Sequence, residues 1–402
     1  MIDKEKKPSE FAPQSASING VVADTSQTQY SISIQDMQTL YHEVNGEKNN
    51  KKAINKSFAK RKRMSELLMS SYFRLSMEQK RLLDRGYSQT EITEQFGIMP
   101  NLGQRGLNVG TCGDVLEFRV PQTGGKWKLH KAYFCHDRLC PLCMARRSLK
   151  VYSQLNQIMN HLDSDRYEFL FLTVTVPNCQ GEELPKVCDR ILKAFTKMMR
   201  TKKLKSLVKG YFRSLEVTFN HNSYSKSFMT FHPHLHAILA VPKNYFGKSY
   251  VKHSEWLQMW RDAYENDDIE FVNIKKVYAS DADLNDAAKA VSVALSKAVA
   301  ETAKYSVKGS DYLFSKDDAL TDFAVMHLSR ALHRKQLFAM GGVFAEASKA
   351  LNLEDVMKSD ADLLHINKDD VINPELAYYV VKFRWGGSIY QALSFEVLKP
   401  VQ

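Results

Sequence analysis

Phe231-His-Pro-His-Leu-His-Ala-Ile-Leu-Ala-Val241 alternates histidines with apolar residues and reads as one β-strand with a polar face at its start. Successive strand side chains point to opposite faces. His234 and His236 therefore project together, about 6.6 Å apart, while Leu235, Ala237 and Leu239 face the other way. Two imidazoles so placed can share one divalent ion. The plain alternative is a histidine pair tolerated on a half-exposed strand, and the pair alone does not decide between the two.

Working outward, Phe169-Leu-Phe-Leu-Thr-Val-Thr-Val176 is β-branched and aromatic, and Pro177-Asn178 ends it. Glu183 to Met199 carries the periodicity of an amphipathic helix, and Tyr211 to Phe219 reads as a second strand leading through a polar loop into the histidine strand. A helix follows at about Ser254 to Tyr264, then a strand at Phe271 to Val277 and an alanine-rich helix from near Ala287. The order β-α-β-β-α-β predicts an α+β fold, an antiparallel sheet with helices on one face and the other face open. The histidine strand lies centrally in such a sheet. Its neighbour Arg213-Ser-Leu-Glu-Val-Thr218 then offers Glu216 as a third metal ligand. His232 shares the parity of His234 and is the rival, although Pro233 marks the strand's beginning. A carboxylate with two imidazoles suits Mg²⁺ or Mn²⁺ acting on a phosphate.

Glu301-Thr-Ala-Lys-Tyr305 closes the alanine-rich run. Four-residue spacing stacks Glu301 and Tyr305 on one helix face, with Lys308 close behind. A tyrosine is a poor nucleophile while protonated, but a neighbouring carboxylate, lysines and a metal-polarised phosphate together let it attack a phosphodiester. The bland reading makes Tyr305 a packing aromatic and Glu301 a solvated charge.

Four of the six cysteines cluster as Cys112, Cys135, Cys140 and Cys143. Cys140-Pro-Leu-Cys143 supplies two thiolates from one turn, and the other two complete a tetrahedral structural zinc site, with His130 and His136 as competing ligands and reduced core cysteines as the alternative. Cys179 and Cys188 lack this clustering and read as ordinary thiols. The formal charge of +11 across 402 residues points to an anionic partner, nucleic acid ahead of membrane. No apolar run approaches the roughly 20 residues that span a bilayer. The polar Met1-Ile-Asp-Lys-Glu-Lys-Lys start is not a secretory signal, so a cytoplasmic location is expected.

These features divide the chain into a polar arm at 1–50, a basic helical segment at 51–104, a cysteine-rich module at 105–150, a catalytic domain at 151–315 and an α/β extension at 316–402. Lys60-Arg-Lys-Arg63 leads into an amphipathic stretch, Met64 to Leu83, that touches DNA phosphates or is simply a solvated helix face. Gly86 to Phe96 reads as a turn and a capped helix. In the tail, a strand pair is expected at Tyr378 to Trp385 and Ser388 to Leu398, joined at Gly386-Gly387.

At about residues 105 to 390 the chain resembles the replication initiators of Gram-positive rolling-circle plasmids, within the His-hydrophobe-His endonuclease superfamily. The resemblance rests on Phe169-Leu-Phe-Leu-Thr-Val-Thr-Val-Pro-Asn178, His232-Pro-His-Leu-His236 and Glu301-Thr-Ala-Lys-Tyr-Ser-Val-Lys308 in that order, preceded by Phe134-Cys-His-Asp-Arg-Leu-Cys-Pro-Leu-Cys143. It implies that His234 and His236 bind metal, that Tyr305 joins the 5′ phosphate of the nicked strand, and that Glu301 activates water for a terminating cleavage. Lys304 or Lys308 would hold the phosphate. The released 3′ hydroxyl would prime synthesis at a double-strand origin whose nick site is single-stranded. A host polymerase is implied, and a host helicase too, because the sequence has no phosphate-binding Gly-x-x-x-x-Gly-Lys-Ser/Thr loop. A homo-oligomer is left open.

Two rivals remain. A relaxase of the same superfamily usually places its tyrosine before the histidines, whereas Tyr305 follows them, and the length and cysteine block set the chain apart from single-strand transposases. A non-catalytic, zinc-stabilised DNA-binding regulator would use Lys60 to Arg63 and the cysteine module alone.

Overall fold

Burial along the histidine strand, β5 (Phe231–Pro242), changes character partway. From His236 to Val241 every residue is buried, whereas His232 and His234 alternate with buried neighbours. The strand thus runs out of the core onto a half-exposed face at its histidine end. The computed structural model describes residues 58–123, 127–162, 166–247, 249–277, 298–303, 306–358, 360–366 and 376–398. The 1–50 arm, the start of the alanine-rich run, Lys304 and Tyr305 lie outside them.

The elements before β5 are helices α1 (Lys60–Asp84), α2 (Gln89–Gln95) and α3 (Leu102–Thr111), strands β1 (Val115–Pro121) and β2 (Lys128–Ala132), helix α4 (Pro141–His161), strand β3 (Tyr167–Thr175), helices α5 (Leu184–Met199) and α6 (Lys202–Leu207), and strand β4 (Gly210–Phe219). After it come α7 (His253–Tyr264), β6 (Val272–Lys276), a helical stretch at 298–302, α8 (Asp318–Ala331), β7 (Phe338–Gly342), α9 (Val343–Ala350), β8 (Tyr378–Trp385) and β9 (Tyr390–Leu398). The β-α-β-β-α-β core is present as β3, α5, β4, β5, α7 and β6. Its strands form an antiparallel sheet of order β6-β3-β5-β4-β7 with β5 at the centre.

Strand β7 is the addition. Phe-Ala-Met-Gly-Gly is too short and glycine-rich to read as a strand, and only its position beside β4 gives it ladder partners. A second sheet, β2-β1-β8-β9, joins the strands of the cysteine segment to the expected C-terminal pair, so residues at 115–132 and 378–398 share one sheet.

Helix α5 packs its Phe195 edge-on to Tyr211, on the face away from the histidines. The face expected to be open is partly covered. Val151, Leu155 and Ile158 of α4 line a cavity with Phe212 and Phe338, whose register puts them on the histidine side. Basic residues of α4 are fastened inward: Arg146 Nε donates to the carbonyl of Leu363 at 2.8 Å, and Lys150 pairs with Glu354 at 2.6 Å. Likewise Lys62, one of the four cations at 60–63 expected to touch phosphates or to be solvated, is 1% exposed. Its ammonium donates to the carbonyls of Gly110 and Cys112, the latter at 3.0 Å, and pairs with Asp114 at 2.5 Å. Helix α2 opens on the expected cap, a reciprocal Ser88–Glu91 box.

Gly342 has φ +57, and a Cβ there would lie 2.1 Å from the carbonyl oxygen of Lys209. Gly387, in the β8–β9 turn, has φ +84 and open space around it. Gly342→Ala should therefore cost about 1–3 kcal/mol from strain and clash together, and Gly387→Ala less, from strain alone. Paired melting curves check the order; equal losses would mean the close approach at Lys209 is relieved by small shifts.

Candidate metal centre and nicking site

The β4–β5 register builds the site. Glu216 lies directly opposite His234, and Ser214 opposite His236, so carboxylate and imidazoles share one face. Glu216 Oε2 is 3.3 Å from His234 Nε2 and 3.2 Å from His236 Nε2, and one ligand atom from each residue falls within 4.8 Å of the others. Burial alone would raise the Glu216 pKa, but hydrogen bonds and charge from the two histidines outweigh it and hold the carboxyl well below its usual range.

Neighbours not foreseen from sequence orient the rings. The hydroxyl of Thr173 on β3, opposite His236, is 2.9 Å from His236 Nδ1, and the Phe171 ring stacks on the same imidazole at 5.6 Å. Both lie in the strand expected at Phe169 to Val176, and their parity opposite β5 was the available signal. His234 Nδ1 is 3.3 Å from the backbone carbonyl of His232, which can only accept. That contact makes Nδ1 the donor and turns Nε2 toward the carboxylate. The carboxylate and the two Nε2 atoms thus converge on one point, where a cation could sit between them. The donor set fits a divalent ion with positions open for phosphate oxygens.

His232 is turned elsewhere. Its Nδ1 lies 2.8 Å from Asn178 Oδ1, and Asn178 donates to Thr230 Oγ1 at 3.0 Å. A two-bond bridge between Cys179 and Phe231 holds this corner together. Of the residues expected at the phosphate, Lys308 Nζ is 4.0 Å from Glu216 Oε1. Glu301 lies in the 298–302 helical stretch. The chain re-enters the described residues at Ser306, whose carbonyl accepts the Val217 N–H at 2.8 Å, one residue beyond Glu216.

The four clustered cysteines also converge. Cys112 and Cys140 each lie 3.6 Å, sulfur to sulfur, from a neighbouring thiol, as do Cys135 and Cys143. Tetrahedral zinc at Zn–S distances of ~2.3 Å needs sulfurs about 3.8 Å apart, so the set fits. The backbone N–H of His136 donates to Cys143 Sγ at 3.2 Å, and that of Cys135 to Cys112 Sγ at 3.5 Å. His130 is instead 4.0 Å from Glu117. Cys179 and Cys188 stand apart from the cluster, with thiols pushed up by burial to about 12.

Residues 126–391 match the model of the replication protein family. A protein rep of Bacillus amyloliquefaciens is 35% identical over 282 residues, 68% of this chain and 81% of the relative. A protein rep of Streptococcus pneumoniae serotype 2 is 34% identical over 285 residues, 70% of this chain and 81% of the relative. A third, from Lactiplantibacillus plantarum, is 36% identical over 278 residues, covering 68% and 82%. No solved structure matches. The chain belongs to the replication protein family, and the resemblance to plasmid replication initiators drawn from its motifs is borne out. Among the described residues no helix is long and apolar enough to cross a membrane.

Protein purified without chelator should carry about one tightly held zinc per chain, measured by elemental analysis; full zinc in Cys140→Ser/Cys143→Ser would show that the thiols are not the ligands. For Glu216, a folded pKa below the unfolded value of about 4.3 favours the fold above that pH, and this contribution is lost as pH falls through the folded value. Glu216→Gln should therefore flatten the acid limb of the melting-temperature profile; an unchanged limb would mean the histidine contacts do not hold the carboxylate.

Proposed function

We propose that this replication protein starts rolling-circle replication of a plasmid by nicking one strand at the double-strand origin through a tyrosine transesterification. The observation that carries the reading is the placement of Ser306, next in sequence to Tyr305, against Val217 beside the Glu216, His234 and His236 set. His234, His236 and Glu216 would hold Mg²⁺ or Mn²⁺, which when bound polarises the scissile phosphate.

The remaining work belongs to side chains of the chain. Tyr305 Oη attacks phosphorus and forms the phosphotyrosine bond; the bond to the 3′ oxygen breaks, and that oxygen leaves as a hydroxyl carrying the proton the phenol has lost. Phosphoester energy is conserved, so no nucleotide is hydrolysed. Lys308, half-exposed on the rim of the site, supplies positive charge for a non-bridging oxygen, with Lys304 as its companion. Glu301 serves as base for the water of the terminating cleavage, so one round ends without reinitiation. The substrate is plasmid DNA with a single-stranded nick site; strand separation and synthesis fall to a host helicase and polymerase.

Wild-type protein incubated with Mn²⁺ and an oligonucleotide from its own replicon's origin should form a covalent adduct stable to denaturing electrophoresis, and Tyr305→Phe none. An adduct in the variant would remove Tyr305 as nucleophile, while none with wild type would favour a DNA-binding regulator. Glu301→Ala should nick and attach at near wild-type yield but lose the terminating step, read as multimeric plasmid products; normal termination would remove its role.

A further inference from the structure

Away from the histidine strand, a cleft of ≈ 490 Å³ opens between the turn before Cys140, the start of α3 and the C-terminal end of α8. Arg105, Arg138 and Arg334 line it with His136 and His333, and its lining includes one carboxylate, Asp137. That carboxylate is already committed. It accepts from Arg105 Nε at 2.8 Å, the Tyr72 hydroxyl at 3.0 Å and the Leu139 N–H at 2.8 Å. Arg138 donates to the carbonyls of Leu332, at 2.8 Å, and Lys335, so the partial negative charge at the end of α8 is offset as well.

What is left over is positive. Among the described residues no hydrogen bond or ion pair engages the side chain of Arg334 or His333, and both are exposed at the rim. Arg334 holds φ +54, a left-handed conformation that a non-glycine residue adopts at a cost. A strained residue whose guanidinium has no partner is placed for something outside the fold. The pKa of His333 is pushed down, first by burial and then by Arg334, Arg105, Arg138 and Lys335, which shows how little negative charge balances these cations. No Phe, Tyr or Trp lines the cleft, whereas an oxyanion finds guanidinium donors there.

We infer that this cleft receives a backbone phosphate of duplex DNA, at a second contact apart from the nicking site. The inference rests on the chain being a DNA-binding replication protein and is independent of how it cuts. Phosphate contacts of this kind fix register without reading sequence. They let the cysteine module and α8 grip flanking duplex while the histidine face meets the single strand.

The test uses the full chain and a short fluorescein-labelled duplex of arbitrary sequence, with affinity measured across a KCl series. His333→Ala/Arg334→Ala should bind more weakly, with the slope of log affinity against log salt reduced by about 1, and Arg334→Lys should retain most of the slope. Adduct formation on a single-stranded nick-site oligonucleotide should be unchanged in both variants. A wild-type slope in the double variant overturns the inference, as does an Arg334→Lys slope no better than that of the double variant. Because duplex binding is read separately from cleavage, a chain that never cleaves would undo the nicking mechanism and leave this result standing.

Discussion

The pairing of Glu216 with His234 across two antiparallel strands is the constraint on which the site depends. Side chains in a strand alternate with a period of two, so a slip of one residue between β4 and β5 would send the carboxylate to the helix face. The register is secured far from the site. Leu215, Val217, Leu235 and Leu239 fill the opposite face, where any slip would bury polar groups and expose leucines. Hydrophobic packing on one side of the sheet thus fixes the geometry of three polar side chains on the other.

The second organising centre is the cysteine cluster, and its reach extends beyond the four sulfurs. Cys140 opens α4, and Ser148 on that helix donates to the carbonyl of Ala303, two residues before Tyr305 in sequence. Tyr312, fully buried, donates its hydroxyl to the carbonyl of Leu139, and Lys62 of α1 donates to the carbonyl of Cys112. The cluster therefore ties α1, α4 and the segment after the tyrosine motif to one another. A structural zinc there would bear on the histidine site through helix placement alone.

Much of the central sheet was legible because alternation and punctuation agree. Val174, Leu172 and Leu170 bury one face of β3, Pro177 follows its end, and β4 closes before the polar Asn220 loop. The strands that escaped reading have weak local signals. Strand β7 ends in two glycines, and β1 is interrupted by Glu117 and Arg119, which its edge partner β2 and the distant β8 accommodate. Charge was the least legible property. Lys62, Arg146 and Lys150 each end on backbone carbonyls or carboxylates inside the fold, which no local pattern marks.

The sequence alone determined the histidine parity, the order of the three motifs, the cysteine spacing and the β-α-β-β-α-β core, because each is written in local period or spacing. It also narrowed the third ligand to Glu216 or His232. Tertiary structure separates the two: His232 finds Asn178 across a loop, while Glu216 meets both ring nitrogens across a ladder. It also joined the cysteine segment to the C-terminal strands and laid α4 over part of the face expected to be open. Those outcomes depend on contacts between residues far apart in the chain, which local patterning does not encode.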